Sequence, residues 1–508
     1  MDQSNSKVLI WLPLIIGLCS SLGMYAGYKL QPPKTIGTEN TQFVNSNYAS
    51  KQKLEDVLSF LQSRYVDSLN MEESTDFLIQ QLMYALDPYS EYLTKNELNN
   101  LHDELDGIYQ GGGINFKIIQ DQVYVESILP NGPASQYDIE PGDIVKEING
   151  TVILSSNIYL DSISKYAQNN PEKLELKISK PNQEEEKLVS IPKSDILNKS
   201  IKTAFSLNDK SFYIKINRFS ERTYKEFMQE VENYAFNKSY ENLVIDLRNN
   251  SGGLLDAAAD ILNQLVNESD VLLFKTVNKT KQERKYMSTG KPFFHLQKII
   301  VLINENSASA SEILAGVLQD LGRATIIGTK SFGKATILEL YPLSDGSSLE
   351  LANSRIILPT GRCIQNSYNA RSDSSLHWLS PFDADTIAVR KGSKSFPNGQ
   401  GLFPDIEINL QLQESNEEIK NFCTDFILTH FQDLKTLQQK KNADLLISTY
   451  ALKNWINVSK DKIIIKNKDL ILQELKFQLT RILFGEAEEE QLHLKSDPLI
   501  LKAEELLH

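Results

Sequence analysis

Apolar positions change period several times along this chain, and each change marks an element. Val8 to Tyr28 carries no charge and exceeds the roughly 20 residues needed to span a bilayer, which predicts an uncleaved membrane anchor. Cleavable signal peptides have shorter apolar cores, about 7 to 15 residues. Thr35 to Asn47 is polar and predicts a linker. Leu54, Val57, Leu58, Leu61 and Tyr65 then make a helical stripe, and a second helix is predicted from Thr75 to Leu86, stopped by Asp87-Pro88. Strand-like runs follow around Phe116, Val123-Tyr124-Val125 and Leu174 to Ile178.

The second half of the chain alternates buried strands with amphipathic helices. Leu243 to Leu247 reads as a strand that turns through Asn249-Asn250-Ser251-Gly252-Gly253 into the helical Leu254 to Leu265. Lys298 to Ile303 is another buried strand. It leads through Ser307 to Ser311 into a stripe of Ile313, Leu314, Val317, Leu318 and Leu321, which Gly322 ends. Ala324 to Gly328 and Ala335 to Leu340 read as strands, Ser367 to Gly399 as an irregular insertion, and the tail from Glu414 as largely helical. The fold class is multidomain α/β.

At 508 residues the chain has room for about three domains beyond the anchor. A net charge of −13 argues against a nucleic-acid partner. The six histidines show no metal spacing, so neither metal nor cofactor is expected. Cys363 and Cys423 are expected to be free, buried thiols.

Candidate chemistry centres on Asn306-Ser307-Ala308-Ser309-Ala310-Ser311-Glu312 and the later Ser331-Phe332-Gly333-Lys334. Ser309 falls at a strand-to-helix turn, where its hydroxyl meets the positive helix end and the Ala310 amide can face an oxyanion. The same stretch fits a capping box, with Ser309 as cap and Glu312 reaching back. Side-chain alternation sets Lys334, Thr336 and Leu338 on one strand face. A lysine desolvated there has a lowered pKa and can act as general base toward Ser309. Gly328 to Ala335 matches a nucleotide-binding loop up to its last position, but Ala335 lacks the magnesium-binding hydroxyl and a strand follows where a helix is required. His295 offers a conventional triad as a weaker alternative. Gly252 and Gly253 let a backbone approach a ligand closely, or form an ordinary strand-helix turn.

Taken together and in this order, the segments from Leu86-Asp87-Pro88-Tyr89-Ser90 to Gly401-Leu402-Phe403-Pro404-Asp405-Ile406 closely resemble the C-terminal processing, or tail-specific, peptidases. That resemblance implies Ser309 as nucleophile, Lys334 as base, and the amides of Ala310 and Gly253 (Gly252 ranking behind it) as oxyanion hole. Asp320 matches an acidic position of some relatives, although pairing with Arg323 at i+3 explains it equally. Tyr109 to Phe116, Gly132-Pro133-Ala134-Ser135 and Pro141 to Gly150 look like a circularly arranged PDZ domain. By that likeness, the amides of Gly112, Gly113 and Ile114 hold the carboxylate of a peptide C-terminus while the peptide adds to the sheet edge. The typical glycine-rich turn of relatives is replaced here by Gln168 to Lys173.

The implied organisation is an anchor at 1–34, linker and helices at 35–104, a PDZ domain at 105–192, a crotonase-like (ClpP-like) peptidase core at 193–410 with an insertion at 367–399, and a helical extension at 411–508 like that of Bacteroidetes-type members. The catalytic body then faces the periplasm from the inner membrane, acts on proteins with exposed C-termini, and forms a homodimer through its N-terminal helices. Leu338 departs from the pattern, because relatives carry a lysine-orienting glutamine there, and Ala335 replaces a glycine. Leucine desolvates Lys334 but removes a hydrogen-bond partner, which leaves a weakened peptidase or an inactive tail-binding scaffold as the alternative.

Overall fold

The computed structural model describes residues 41–507 apart from 120, 130, 154–162, 164, 165, 168–171, 181, 182, 184, 237–239, 367–398, 410–416, 430–467, 485 and 496. The expected anchor, nearly all of the insertion and residues 168–171 lie outside the described residues. Among those described, no helix is long and apolar enough to cross a membrane.

Two compact units divide the chain after Ile79. The first carries the helix Thr41–Arg64 and the start of the helix Met71–Leu86. Helix already begins within the stretch expected to be linker. The second helix starts four residues early, because the Asn70 side chain accepts from the N–H of Glu72 at 3.2 Å and caps it.

In the second unit, a sheet ordered Ile114–Ile119, Gln122–Ile128, Ile144–Ile148, Lys173–Ser179 and Glu186–Pro192 encloses a core that includes Val123, Val125, Ile148, Leu176 and Ile191. One face is apolar and the other is wet: Leu174, Leu176 and Ile178 point inward, while Lys177 pairs with Glu186 at 2.7 Å on the surface. Ile114–Ile119 is an edge strand. The ribbon Ile108–Gly111 with Ser194–Leu197 leads from this sheet toward the next.

The main sheet has six strands, ordered Ile201–Ser206, Ser211–Ile216, Asn242–Asp246, Lys298–Ile303, Thr325–Gly328 and Ile406–Glu407. The first pair is antiparallel and the remaining neighbours are parallel. Leu243, Ile245, Ile299, Val301 and Ile303 face one core, with the helices Leu255–Leu265 and Ala310–Asp320. Val244, Ile300, Leu302 and Ile327 face a second core closed by Leu499, Ile500, Ala503 and Leu507 of the helix Pro498–Leu507. Both faces are therefore covered, which is why these strands read as unbroken apolar runs. A second sheet joins Glu91–Leu93, Ser348–Ile357, Ser269–Asn278 and Glu283–Thr289, with Thr336–Pro342 also paired to Ser348–Ile357.

Two buried features round off the core. Cys363 and Cys423 are buried thiols outside any described disulfide. Asp320 pairs with the buried Arg362 at 2.7 Å and accepts from the hydroxyl and N–H of Thr360. Arg323 instead donates to the carbonyls of Leu265, Leu296 and Gln297. The i+3 pair offered as one reading of Asp320 is therefore not among the described ion pairs, since a partner distant in sequence reaches Asp320 inside the core while Arg323 caps chain ends.

Candidate active site

Three loops meet where parallel strands end: 247–254 after Asn242–Asp246, 304–309 after Lys298–Ile303, and 329–335 after Thr325–Gly328. The carboxyl ends of parallel strands are where open α/β sheets present their sites, because each strand there hands over to a loop free of sheet pairing. Ser309 is the residue before the helix Ala310–Asp320 and has φ 53° and ψ −117°. Such a conformation costs a non-glycine residue about 1–3 kcal/mol and persists only where neighbours over-determine it.

Here the neighbours are specific. Ala308 N–H and the Ser311 hydroxyl both donate to the Asn250 carbonyl, at 3.0 and 2.9 Å. The Ser307 hydroxyl donates to the Leu247 carbonyl at 2.9 Å. Asn249, itself at φ 60°, exchanges side-chain and backbone bonds with Asn304 and accepts from Asn306. Gly252 lies so close that a Cβ on it would stand 2.7 Å from the Ser309 Cβ. Only glycine lets the first loop sit against the serine.

Glu312 does reach back to the Ser309 N–H, at 2.9 Å, as a capping box requires. It also does far more. The same oxygen, Oε2, accepts the Lys334 N–H at 2.8 Å, while Oε1 accepts the Gly333 N–H at 2.7 Å and the Ser331 hydroxyl. One fully buried carboxylate thus ties the serine loop to the lysine loop, and Phe332 N–H adds a bond to the Ser307 carbonyl at 3.0 Å. Burial pushes the Glu312 carboxyl up to about 7 against the pull of its four donors.

Lys334 stands two residues before the strand Thr336–Pro342, in the extended connection rather than in the strand as expected. It is half-buried, and burial lowers its pKa against the opposing fields of Glu350, Glu91, Asp87 and Glu312. Its Nζ lies 5.1 Å from the centre of the Tyr89 ring. Thr336 does not take over the missing glutamine. Its buried hydroxyl donates to Gln365 Oε1 at 2.7 Å and accepts from Arg355. Leu338, half-buried and apolar, offers no hydrogen bond.

Among the described residues, the N–H groups of Ala310 and Gly253 donate to no acceptor, whereas Gly252 N–H is taken by Asn250 Oδ1 at 2.9 Å. His295 is exposed in the loop before Lys298–Ile303. In the other sheet, Gly112 and Gly113 are buried, their N–H groups meet no acceptor among the described residues, and they lead into the edge strand that begins at Ile114.

The sequence reading missed two supports. Asp246, fully buried in a strand, accepts from Tyr213 at 2.7 Å and from Arg248, which also meets Asp497 at 2.6 Å. Burial opposes the charge on Asp246, but Arg248 holds its carboxyl below the usual range. An acid in the middle of an apolar strand run was the signal available for this group. Glu312 was legible only as a helix cap, because its further partners come from a loop about 20 residues later.

A serine strained into a strand-end turn of an α/β core, in a chain that also carries a PDZ sheet, marks the class as serine peptidase. The chain belongs to peptidase family S41, whose model matches residues 210–371, and the PDZ-domain model matches residues 101–179. It is 27% identical over 372 residues to the carboxy-terminal processing protease CtpB of Bacillus subtilis (strain 168), covering 71% of this chain and 76% of that protein. It is 31% identical over 382 residues to the "Probable CtpA-like serine protease" of Staphylococcus aureus (strain MRSA252), covering 72% and 73%. Among solved structures, the photosystem II D1 C-terminal processing protease aligns over 72% of this chain and 88% of its own, at 21% identity and a TM-score of 0.40.

Proposed function

We propose that this chain is an endopeptidase that reads exposed protein C-termini with its PDZ domain and cuts peptide bonds with a Ser309–Lys334 dyad. The observation that carries the reading is the shared Glu312 oxygen, which holds the backbone of both residues at one point. Neutral Lys334 takes the proton from Ser309 Oγ as that oxygen attacks the scissile carbonyl. The oxyanion faces the N–H groups of Ala310 and Gly253, which no acceptor claims among the described residues. Collapse breaks the C–N bond, and the Lys334 ammonium returns its proton to the leaving amine. Water, deprotonated by Lys334, then attacks the acyl ester, and as the ester C–O bond breaks Lys334 returns that proton to Ser309 Oγ. No metal or cofactor enters.

Supporting the C-terminus reader are the unclaimed amides of Gly112 and Gly113 beside the edge strand Ile114–Ile119, where a peptide strand can add with its carboxylate at the loop. The PDZ domain is assigned to 105–192, the crotonase-like core to 193–410 and a helical extension to 411–508. Val8 to Tyr28 anchors the chain in the inner membrane with its body in the periplasm. Exposed Leu54, Val57, Phe60, Phe77 and Leu78 on the N-terminal helices support a homodimer.

The test uses the fragment from Thr35 onward with an unfolded protein ending in an apolar free C-terminus, beside Ser309→Ala and Lys334→Ala. Cleavage by the parent and a loss of at least about 1,000-fold in both variants is expected. Binding without cleavage by all three makes the chain a tail-binding scaffold, the reading that Leu338 favours.

A further inference from the structure

Leu338 leaves Lys334 without the amide that the family pattern puts beside it, and the observed surroundings of the lysine contain a different support. The loop 87–90 brings the Tyr89 ring to 5.1 Å from Nζ. Asp87 shapes that loop, accepting the N–H groups of Tyr89 and Ser90 at 2.8 and 2.7 Å and the Ser90 hydroxyl at 2.7 Å. The ring is held at its far end, where the Tyr89 hydroxyl accepts from Gln365 Nε2 at 3.1 Å. Gln365 is buried, and its Oε1 accepts the Ala335 N–H at 2.9 Å and the Thr336 hydroxyl at 2.7 Å. One glutamine therefore grips both the chain next to Lys334 and the ring over which the amine lies.

We propose that Tyr89 and Gln365 are positioning residues for Lys334, the ring stabilising the ammonium that forms when Ser309 is deprotonated and Gln365 fixing ring and lysine backbone together, in place of the glutamine missing at 338. The proposal rests on the dyad reading. A ring face attracts an ammonium within about 6 Å and gives little to a neutral amine. The contact is thus stronger after proton transfer than before it, which is the condition for an interaction to raise kcat. An amide at 338 orients the amine by a hydrogen bond; an aromatic face asks for no donor geometry and tolerates the apolar leucine beside it.

The groups facing Lys334 are Glu350 and Glu91, paired across neighbouring strands, together with Asp87 and Glu312. All favour the ammonium, as the ring does. Removing the ring therefore moves the acidic limb of the kcat/KM profile to lower pH, a change that a merely structural defect does not produce.

The experiment compares full-length parent, Tyr89→Leu, Tyr89→Trp, Gln365→Met, and Tyr89→Leu with Leu338→Gln, alongside Ser309→Ala and Lys334→Ala. Tyr89→Leu is expected to lower kcat about 10- to 100-fold with KM within about threefold, and to shift the limb downward. Tyr89→Trp keeps a ring face and stays within about fivefold of the parent. Gln365→Met falls between the two. Leu338→Gln restores at least about tenfold to the Tyr89→Leu variant by supplying the absent amide. Circular dichroism and Tm verify folding of every variant, and Tyr89→Trp carries the test should Tyr89→Leu be unstable: a loss of more than about 30-fold there contradicts the ring's role. A kcat within twofold and an unmoved limb in Tyr89→Leu, with Ser309→Ala and Lys334→Ala inactive, overturns the proposal and leaves the dyad standing. Persistent cleavage by Ser309→Ala overturns the dyad itself, and the proposal with it.

Discussion

The peptidase sheet and the PDZ sheet are each built around apolar strands, yet they treat their polar groups in opposite ways. In the peptidase core the loops around Ser309 are tied down by buried side chains, and Glu312 alone accepts four hydrogen bonds. Both faces of that sheet are covered. The PDZ sheet has one wet face, an edge strand, and glycine amides that, among the described residues, no acceptor takes up. The contrast suits the two jobs we propose. A catalytic site needs groups fixed before the substrate arrives, so that no reorganisation falls on the reaction step. A reader of chain ends needs unpaired backbone for the incoming strand to complete.

The strongest way to break this contrast is to unlock the core. Glu312→Ala orphans the N–H groups of Ser309, Gly333 and Lys334, and should cost at least about 3 kcal/mol in stability and about 1,000-fold in cleavage. The pH dependence tests the same group. Its carboxyl is raised from 4.5 to about 7, so the folded state binds the proton more tightly than the unfolded one. The stability this contributes is complete below about 4.5 and is lost as pH rises through about 7. Melting curves of the parent from about pH 5 to about pH 8 should therefore slope downward by an amount that disappears in Glu312→Ala. A slope equal in both proteins shows that Glu312 does not titrate there.

Arg362→Met comes next. It strands the buried Asp320 carboxylate, whose remaining partners are the two donors of Thr360, and should lower stability by about 3–5 kcal/mol in denaturant titrations. A cost under about 1 kcal/mol means that Asp320 is wetter than its burial implies.

The smallest effect is expected in the PDZ sheet. Gly113 has φ 74°, with Gly132, Leu129 and Pro133 packed 3.4 to 3.5 Å from where a Cβ would stand. Gly113→Val strains the loop, and should raise KM for substrates with a free C-terminus about tenfold while leaving kcat within a factor of about two. Amidating the substrate C-terminus should mimic the variant with the parent enzyme. If instead kcat falls with KM unchanged, the loop serves the peptidase core rather than recognition.

Much of this protein follows from local pattern. Apolar runs located the strands Asn242–Asp246 and Lys298–Ile303, since strands covered on both faces need no polar alternation. The expected strand-to-helix turn at Ser309 is present, because strand period gives way there to helix period. The glycine pair 252–253 marked the loop that must come close to Ser309, whereas Gly112 and Gly113 were singled out by family resemblance. What stayed hidden was partnership at a distance. Glu312 read as a cap, Arg323 was one of two readings offered for Asp320, and Thr336 read as a residue on the same strand face as Lys334; each reading looked to near neighbours. Tertiary structure gave Glu312 to the lysine loop, Asp320 to Arg362, and Thr336 to Gln365. Periodicity is set by each segment's own burial and so survives in the sequence. Which donor meets which buried acceptor depends on how separate loops converge at the strand ends, and only the assembled sheet decides it.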